Sequence, residues 1–174
     1  MSLQILWWKI TNLPHLLRGL PDMVMGLVRP VGRLYVEVHR ADGKTERLGL
    51  VSTRVVTTAG VNYLVDAFQG TTEPENFKYH AMGTGNTAEN SSDTTLVTEV
   101  ETRATGSQTE GSSANIYKTV GTIAATTSRA IVEHGIFSAS SAGTLLDRSV
   151  FSTINLSAND SIQFTYELTL PAGS

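Results

Sequence analysis

Residues 33–50 read RLYVEVHRADGKTERLGL, and the period of their apolar positions sets the fold class. Leu34, Val36 and Val38 fall on one face of an extended chain, with Tyr35, Glu37 and His39 on the other, the alternation of a half-buried strand. Ala41-Asp42-Gly43 then suits a three-residue hairpin loop, a type I turn closed by a glycine in the left-handed region. That loop places Arg40 against Lys44, Glu37 against Arg47, Val36 against Leu48 and Leu34 against Leu50. A two-residue turn at Asp42-Gly43 would set Val36 against Gly49 and mix the two faces, so the three-residue loop is expected.

Working outward, residues 57–70 read TTAGVNYLVDAFQG. Thr57 or Thr58 can cap a helix of about 58–69 and Gly70 can end it. Val61, Leu64, Val65 and Phe68 recur at helical spacing, and that stripe is expected to face the core. Strands are predicted at Phe77–Met82, Ile116–Ala124, Ala130–Phe137, Leu145–Phe151 and Ile162–Leu170, with a short apolar piece at Leu96–Val100 and an exposed loop at Thr102–Asn115. No internal repeat is present. The expected class is mainly β: a single antiparallel β-sandwich or jelly-roll-like domain with one covering helix, residues 33–174, behind an N-terminal partly helical or extended arm, residues 1–32.

The chain has 174 residues, of which 40% are hydrophobic and none is cysteine, enough for one core and no disulfide framework. Net charge is −3, too small to point to nucleic acid or a membrane surface as partner. Residues 1–54 carry eight basic and four acidic side chains, which makes the front end basic and the remainder acidic.

The leading residues MSLQILWWKITNLPHLLRGLPDMVMGLV are apolar, yet Lys9, Arg18 and Asp22 interrupt them and Pro14 and Pro21 break any helix. They do not form the run of about 20 apolar residues that spans a bilayer, nor is a secretory signal expected. Leu3, Ile5, Leu6, Trp7, Trp8, Ile10, Leu13, Leu16 and Leu17 need a surface to cover, since burying each is worth roughly 1.5–3 kcal/mol. That surface belongs either to the same chain or to another subunit.

Glu133, His134, Asp147 and Ser149 are residue types of a nucleophilic triad. Pairing gives them an architectural account. With Phe137 opposite Thr144, Glu133 faces Arg148 and His134 faces Asp147, while Ile131 meets Val150 and Ile136 meets Leu145. No nucleophile elbow accompanies them. Gly83-Thr84-Gly85 lacks the remaining residues of a phosphate loop, and the scattered histidines His15, His39, His80 and His134 make no metal signature. No cofactor, metal or catalytic residue is therefore assigned, and Glu37, Arg47, Glu133, Arg148, His134 and Asp147 are read as structural pairs.

In order along the chain, VVTTAGVNYLVDAFQG, FKYHAMGTGNTAENSSDTTLVTE, RATGSQTEGSSANIYKTVGT and EHGIFSASSAGTLLDRSVFSTINLSANDSIQFTYELTL resemble a family of small tailed-bacteriophage virion proteins, some of them similar to capsid decoration (cement) proteins. The likeness covers about Val55 to Leu170 and is densest at Gly83, Gly85, Gly135, Asp147, Arg148 and Asp160, all read as architectural. It implies a non-enzymatic β-sandwich-like subunit of the virion, assembled in the host cytoplasm. Its implied partners are the phage major capsid protein and further copies of itself in a homotrimer, with no nucleic acid and no membrane. A tail or fibre component contacting a host receptor is the alternative.

Overall fold

The computed structural model describes residues 30–53 and 55–171, and Val31–Thr169 form one compact unit. The fold is a mainly β sandwich of two antiparallel sheets with one helix. The elements are β1 (Val31–His39), β2 (Thr45–Ser52), α1 (Thr58–Phe68), a short 3-10 turn (Pro74–Asn76), β3 (Tyr79–Gly83), β4 (Glu99–Thr105), β5 (Ser107–Glu110), β6 (Ile116–Ala124), β7 (Arg129–Phe137), β8 (Leu145–Leu156) and β9 (Ser161–Thr169). One sheet has the order β2-β1-β9-β6-β5 and the other β4-β3-β7-β8. The chain changes sheets at α1, at Gly106 between β4 and β5, between β6 and β7, and between β8 and β9.

Period-two patterning does what the sequence requires in the central strands. In β1 and β9, Leu34, Val36, Val38, Ile162, Phe164, Tyr166 and Leu168 are buried, and their alternate neighbours are only half covered. They meet Met82, Ile131, Ile136, Leu146, Phe151, Ile154 and Leu156 of the other sheet in one core. A second cluster, Ala81, Leu96, Phe137 and Leu145, lies on the opposite face of the β3/β7/β8 sheet, since it holds the alternate residues of β3 and β7. The apolar piece around Leu96 is thus a buried plug beneath the 84–98 loop, and β4 begins after it.

Several expectations are corrected. The β1–β2 hairpin has Glu37 opposite Arg47 and Arg40 donating its N–H to the Lys44 carbonyl, but the register then slips, so Val36 faces Gly49 and Leu34 faces Ser52. Gly49 has φ +70, a bulge that a residue without Cβ accommodates. Consequently Leu48 and Leu50 are exposed instead of covering the core.

In α1, Thr57, one of the two caps the sequence offers, accepts from Gly60 N–H at 3.0 Å, and of the predicted stripe Leu64 packs against the core while the other three residues do not. Gly60 is the buried residue, so close to β8 that a Cβ there would lie 2.7 Å from Leu146 Cα. Tyr63 packs edge-on against Phe77 at 4.6 Å. This contact through the smallest residue turns Val61, Val65 and Phe68 outward. The Thr102–Asn115 region is largely strand, β4 and β5 joined at Gly106. The β7–β8 hairpin pairs Glu133 with Val150, His134 with Ser149, Gly135 with Arg148, Ile136 with Asp147 and Ile131 with Ile154, not as the sequence pairing proposed. The pair at the turn is already displaced by one, Phe137 facing Leu145, and bulges beside Ile136 and Ile131 each add to the slip. The nine arm residues from Leu3 to Leu17 lie outside the described residues.

Candidate functional site

Polar chemistry concentrates on β7 and β8, where the pleat sends alternate residues to opposite faces. On the side away from the main core, the Glu133 carboxylate accepts from Gly85 N–H at 3.0 Å, Val97 N–H at 3.1 Å and Thr98 N–H at 2.8 Å. Arg148 Nε donates to it at 2.9 Å. The same guanidinium donates to Asp93 at 2.9 Å and to the Thr87 carbonyl at 3.0 Å. Both Glu133 and Arg148 are fully buried, and a buried ion pair is tolerable only with its remaining lone pairs and protons satisfied, as here. Their joint effect is to fasten the loop of residues 84–98 onto the sheet. Gly83 and Gly85 make room for it: a Cβ at either would fall within 2.7 Å of Glu133 Oε1.

Facing the core, His134 and Asp147 do not pair with each other. His134 Nε2 sits 3.1 Å from His80 Nδ1, and His80 Nε2 sits 3.2 Å from Thr119 Oγ1, a chain of contacts from β7 through β3 to β6 of the other sheet. His134 Nδ1 has no hydrogen-bond partner among the described residues. Hydrogen bonding therefore assigns the His134 proton to Nε2, donated to His80 Nδ1, because an unmatched lone pair is easier to bury than an unmatched N–H. Burial depresses the His80 pKa to about 3. His134 is held well below the ordinary range by burial and by the neighbouring His80.

Asp147 instead receives bonds from Ser149 Oγ at 3.2 Å and Tyr166 Oη at 3.3 Å. Burial raises its carboxyl well above the ordinary value, against the opposing pull of those two donors. The histidine is thus bonded apart from the serine and the aspartate, which bond each other, and all three are enclosed: His134 is fully buried, and Asp147 and Ser149 are no more than 2% exposed. A substrate has no route to any of them. Among the described residues, no group of three or more His, Asp or Glu could hold a metal ion, and no helix is long and apolar enough to cross a membrane.

Glu37 and Arg47 meet on the outside, Nε to Oε1 at 3.0 Å. Three further clamps were not read from the sequence. Asp160, after the left-handed Asn159 (φ 68), accepts from Ser157 N–H, Ala41 N–H and Arg40 Nη1, tying the β8–β9 turn to the β1–β2 hairpin. Those backbone and guanidinium donors lower its pKa. Glu101, itself at φ 62 on the bulged strand β4, reaches Thr126 and Arg129. Arg103 lies 3.5 Å over the Phe137 ring and donates to the carbonyls of Ala139 and Ala142. All three bring together residues more than twenty apart in sequence, for which no local spacing exists.

With polar interior groups consumed by architecture, the groups available to a partner are on the surface. The chain matches no family model, no curated protein and no solved structure. The exposed large apolar side chains of the described body are Leu48, Leu50, Val61, Val65, Phe68 and Val97, with Leu170 just beyond it.

Proposed function

We propose that this protein is a non-enzymatic structural subunit of a tailed-bacteriophage particle, a decoration protein that binds the outer surface of the head and stabilises the shell through protein contacts. The observation that carries the non-enzymatic part is the burial of His134, Asp147 and Ser149, with His134 bonded to His80 while Ser149 and Asp147 bond each other away from it. The sequence likeness from Val55 to Leu170 carries the phage assignment. In this reading the major capsid protein is the partner, the subunit acts as a homo-oligomer, a trimer being the first expectation, and it resides in the virion. The apolar N-terminal residues, Trp7 and Trp8 foremost, serve as a dock. A body whose loops are fastened by the Glu133–Arg148, Glu101–Arg129 and Arg40–Asp160 pairs suits a part that must hold its shape while it loads a neighbour.

The test is binding of the full chain to mature coat-protein shells. Saturation at a fixed ratio to coat subunits, with raised shell resistance to heat, is the expected result. No binding to mature shells removes the proposal, and labelling confined to the tail of intact particles transfers it to a tail or fibre component.

A further inference from the structure

Five of the large apolar side chains that the body exposes come from one stretch of chain, β2 and α1, which borders β8 along its length. Leu48 and Leu50 lie beside Ser152, Thr153 and Ile154. Farther along the same strand, Val56 pairs with Asp147, Thr57 N–H donates to the Leu146 carbonyl at 2.8 Å, and α1 packs there through Gly60. The two leucines are 45% and 49% exposed, and the helical stripe ends in Phe68 at 84%. A phenyl so exposed at the end of a stripe of valines is not a scattered surface apolar residue; contiguous patches of this kind mark interaction sites.

We infer that this β2/α1 edge is the surface through which a second copy of the chain docks. Two observations select a like copy as occupant. The first is area. Scaling the exposures by the apolar area of each side chain gives roughly 400 Å² of uncovered apolar surface. Interfaces are about 56–65% apolar, so a partner that covers both the β2 leucines and the α1 stripe would bury roughly 600–700 Å² on each side, within the range of stable specific contacts.

The second is charge. Residues 45–70 carry Glu46 and Asp66 against Arg47 and Arg54 and are neutral, whereas residues 71–174 hold eleven acids against five bases. Two like bodies repel over most of their surface and can approach at this edge without that cost. Among the described residues β2 is the outer strand of its sheet, and its edge adds backbone donors and acceptors to this surface.

The inference rests on reading the protein as one that works by contact, and it names where copies meet. Full-length Phe68→Ser and Leu50→Ser, singly and together, are compared with wild type by light scattering and sedimentation across concentration. Val97→Ser, on the 84–98 loop, is the control. Wild type should self-associate. Phe68→Ser should weaken the association by roughly ten- to a hundredfold, as for a central aromatic anchor. The double variant should be weaker still and Val97→Ser unchanged, all with unaltered circular dichroism, and with unaltered Tm once each is dilute enough to be monomeric, because the replaced side chains face solvent.

A wild-type protein monomeric at 100-fold above micromolar concentration (about 100 µM) overturns the inference. So does association that survives the double variant, including association lost only when residues 1–29 are removed. Shell binding is scored separately. A monomer that binds shells sinks this edge and leaves the decoration reading intact, whereas an edge-dependent oligomer that ignores shells does the reverse.

Discussion

Replacing Glu133 by Gln exchanges one carboxylate oxygen for an NH2 group at a site where every neighbour is a donor. If the amide oxygen keeps the Oε1 position, it retains Gly85 N–H and Thr98 N–H, but the new NH2 then faces Val97 N–H and the Arg148 guanidinium. Flipping the amide moves the conflict onto the backbone donors instead. Arg148 is fully buried and still has Asp93 as an anionic partner, at 2.9 Å. Removing one member of a buried pair costs about 3–5 kcal/mol, a large part of the roughly 5–15 kcal/mol that holds a domain together.

At about 2–4 °C per kcal/mol for a chain of this size, Tm should fall by roughly 6–20 °C. Urea unfolding should give the same loss in free energy, and amide exchange should rise first in residues 84–98, the loop that the carboxylate holds. Glu37→Gln, which breaks an exposed pair of the same chemistry, should cost no more than about 1 kcal/mol. A Glu133→Gln loss below about 1 kcal/mol, or exchange unchanged in that loop, would refute the view that this pair is the main fastening of the outer face.

Acid should destabilise the fold before the carboxylates at its surface titrate. His80 and His134 stay neutral in the folded state down to about pH 3 for His80 and well below 6.5 for His134, while the unfolded chain takes up both protons near pH 6.5; their contribution is complete above that pH and lost as pH falls. Asp147 acts in the opposite sense, because its raised carboxyl binds a proton in the folded state first. His80 by itself leaves one excess proton on the unfolded chain, or about 1.4 kcal/mol per pH unit between roughly pH 5.5 and 4, with His134 adding to that slope and Asp147 opposing it, so a Tm that is flat over that interval contradicts the buried histidine chain. Gly121→Ala should cost about 1–3 kcal/mol in thermal or urea unfolding, since its Cβ would sit 2.5 Å from His80 Cδ2; a stability equal to wild type would show that the imidazole has room to move.

The architecture was legible wherever one periodicity dominated. Alternation in β1 and β9 and the capping threonine of α1 are local properties of the chain, set by side-chain direction and by backbone groups that must find partners nearby. The loop Ala41-Asp42-Gly43, closed by Gly43 at φ +88, likewise needs only adjacent residues. What was misread had a common cause. The exposure of Leu48 and Leu50 follows from a bulge at Gly49, and the β7–β8 register follows from a one-residue offset at the turn enlarged by bulges beside Ile136 and Ile131. An inserted residue leaves the local pattern almost unchanged while moving every residue beyond it to a new partner.

The candidate site shows the same division. That Glu133 and Arg148 belong together could be read from opposite charges on neighbouring strands, though not that three backbone amides of a distant loop complete the pair. His134 was legible as a polar group on an apolar strand, and only packing decided that its partner is His80 instead of Asp147. The sequence by itself determined the class of fold, the central strands, the helix start and the absence of cysteine chemistry, because each depends on composition or on residues a few positions apart. Tertiary structure alone decided which face of α1 is buried, through the close approach of Gly60 to Leu146, and which polar groups share a partner. Those outcomes depend on where bulged strands come to lie across the sandwich, and a long-range distance is not written in any local spacing.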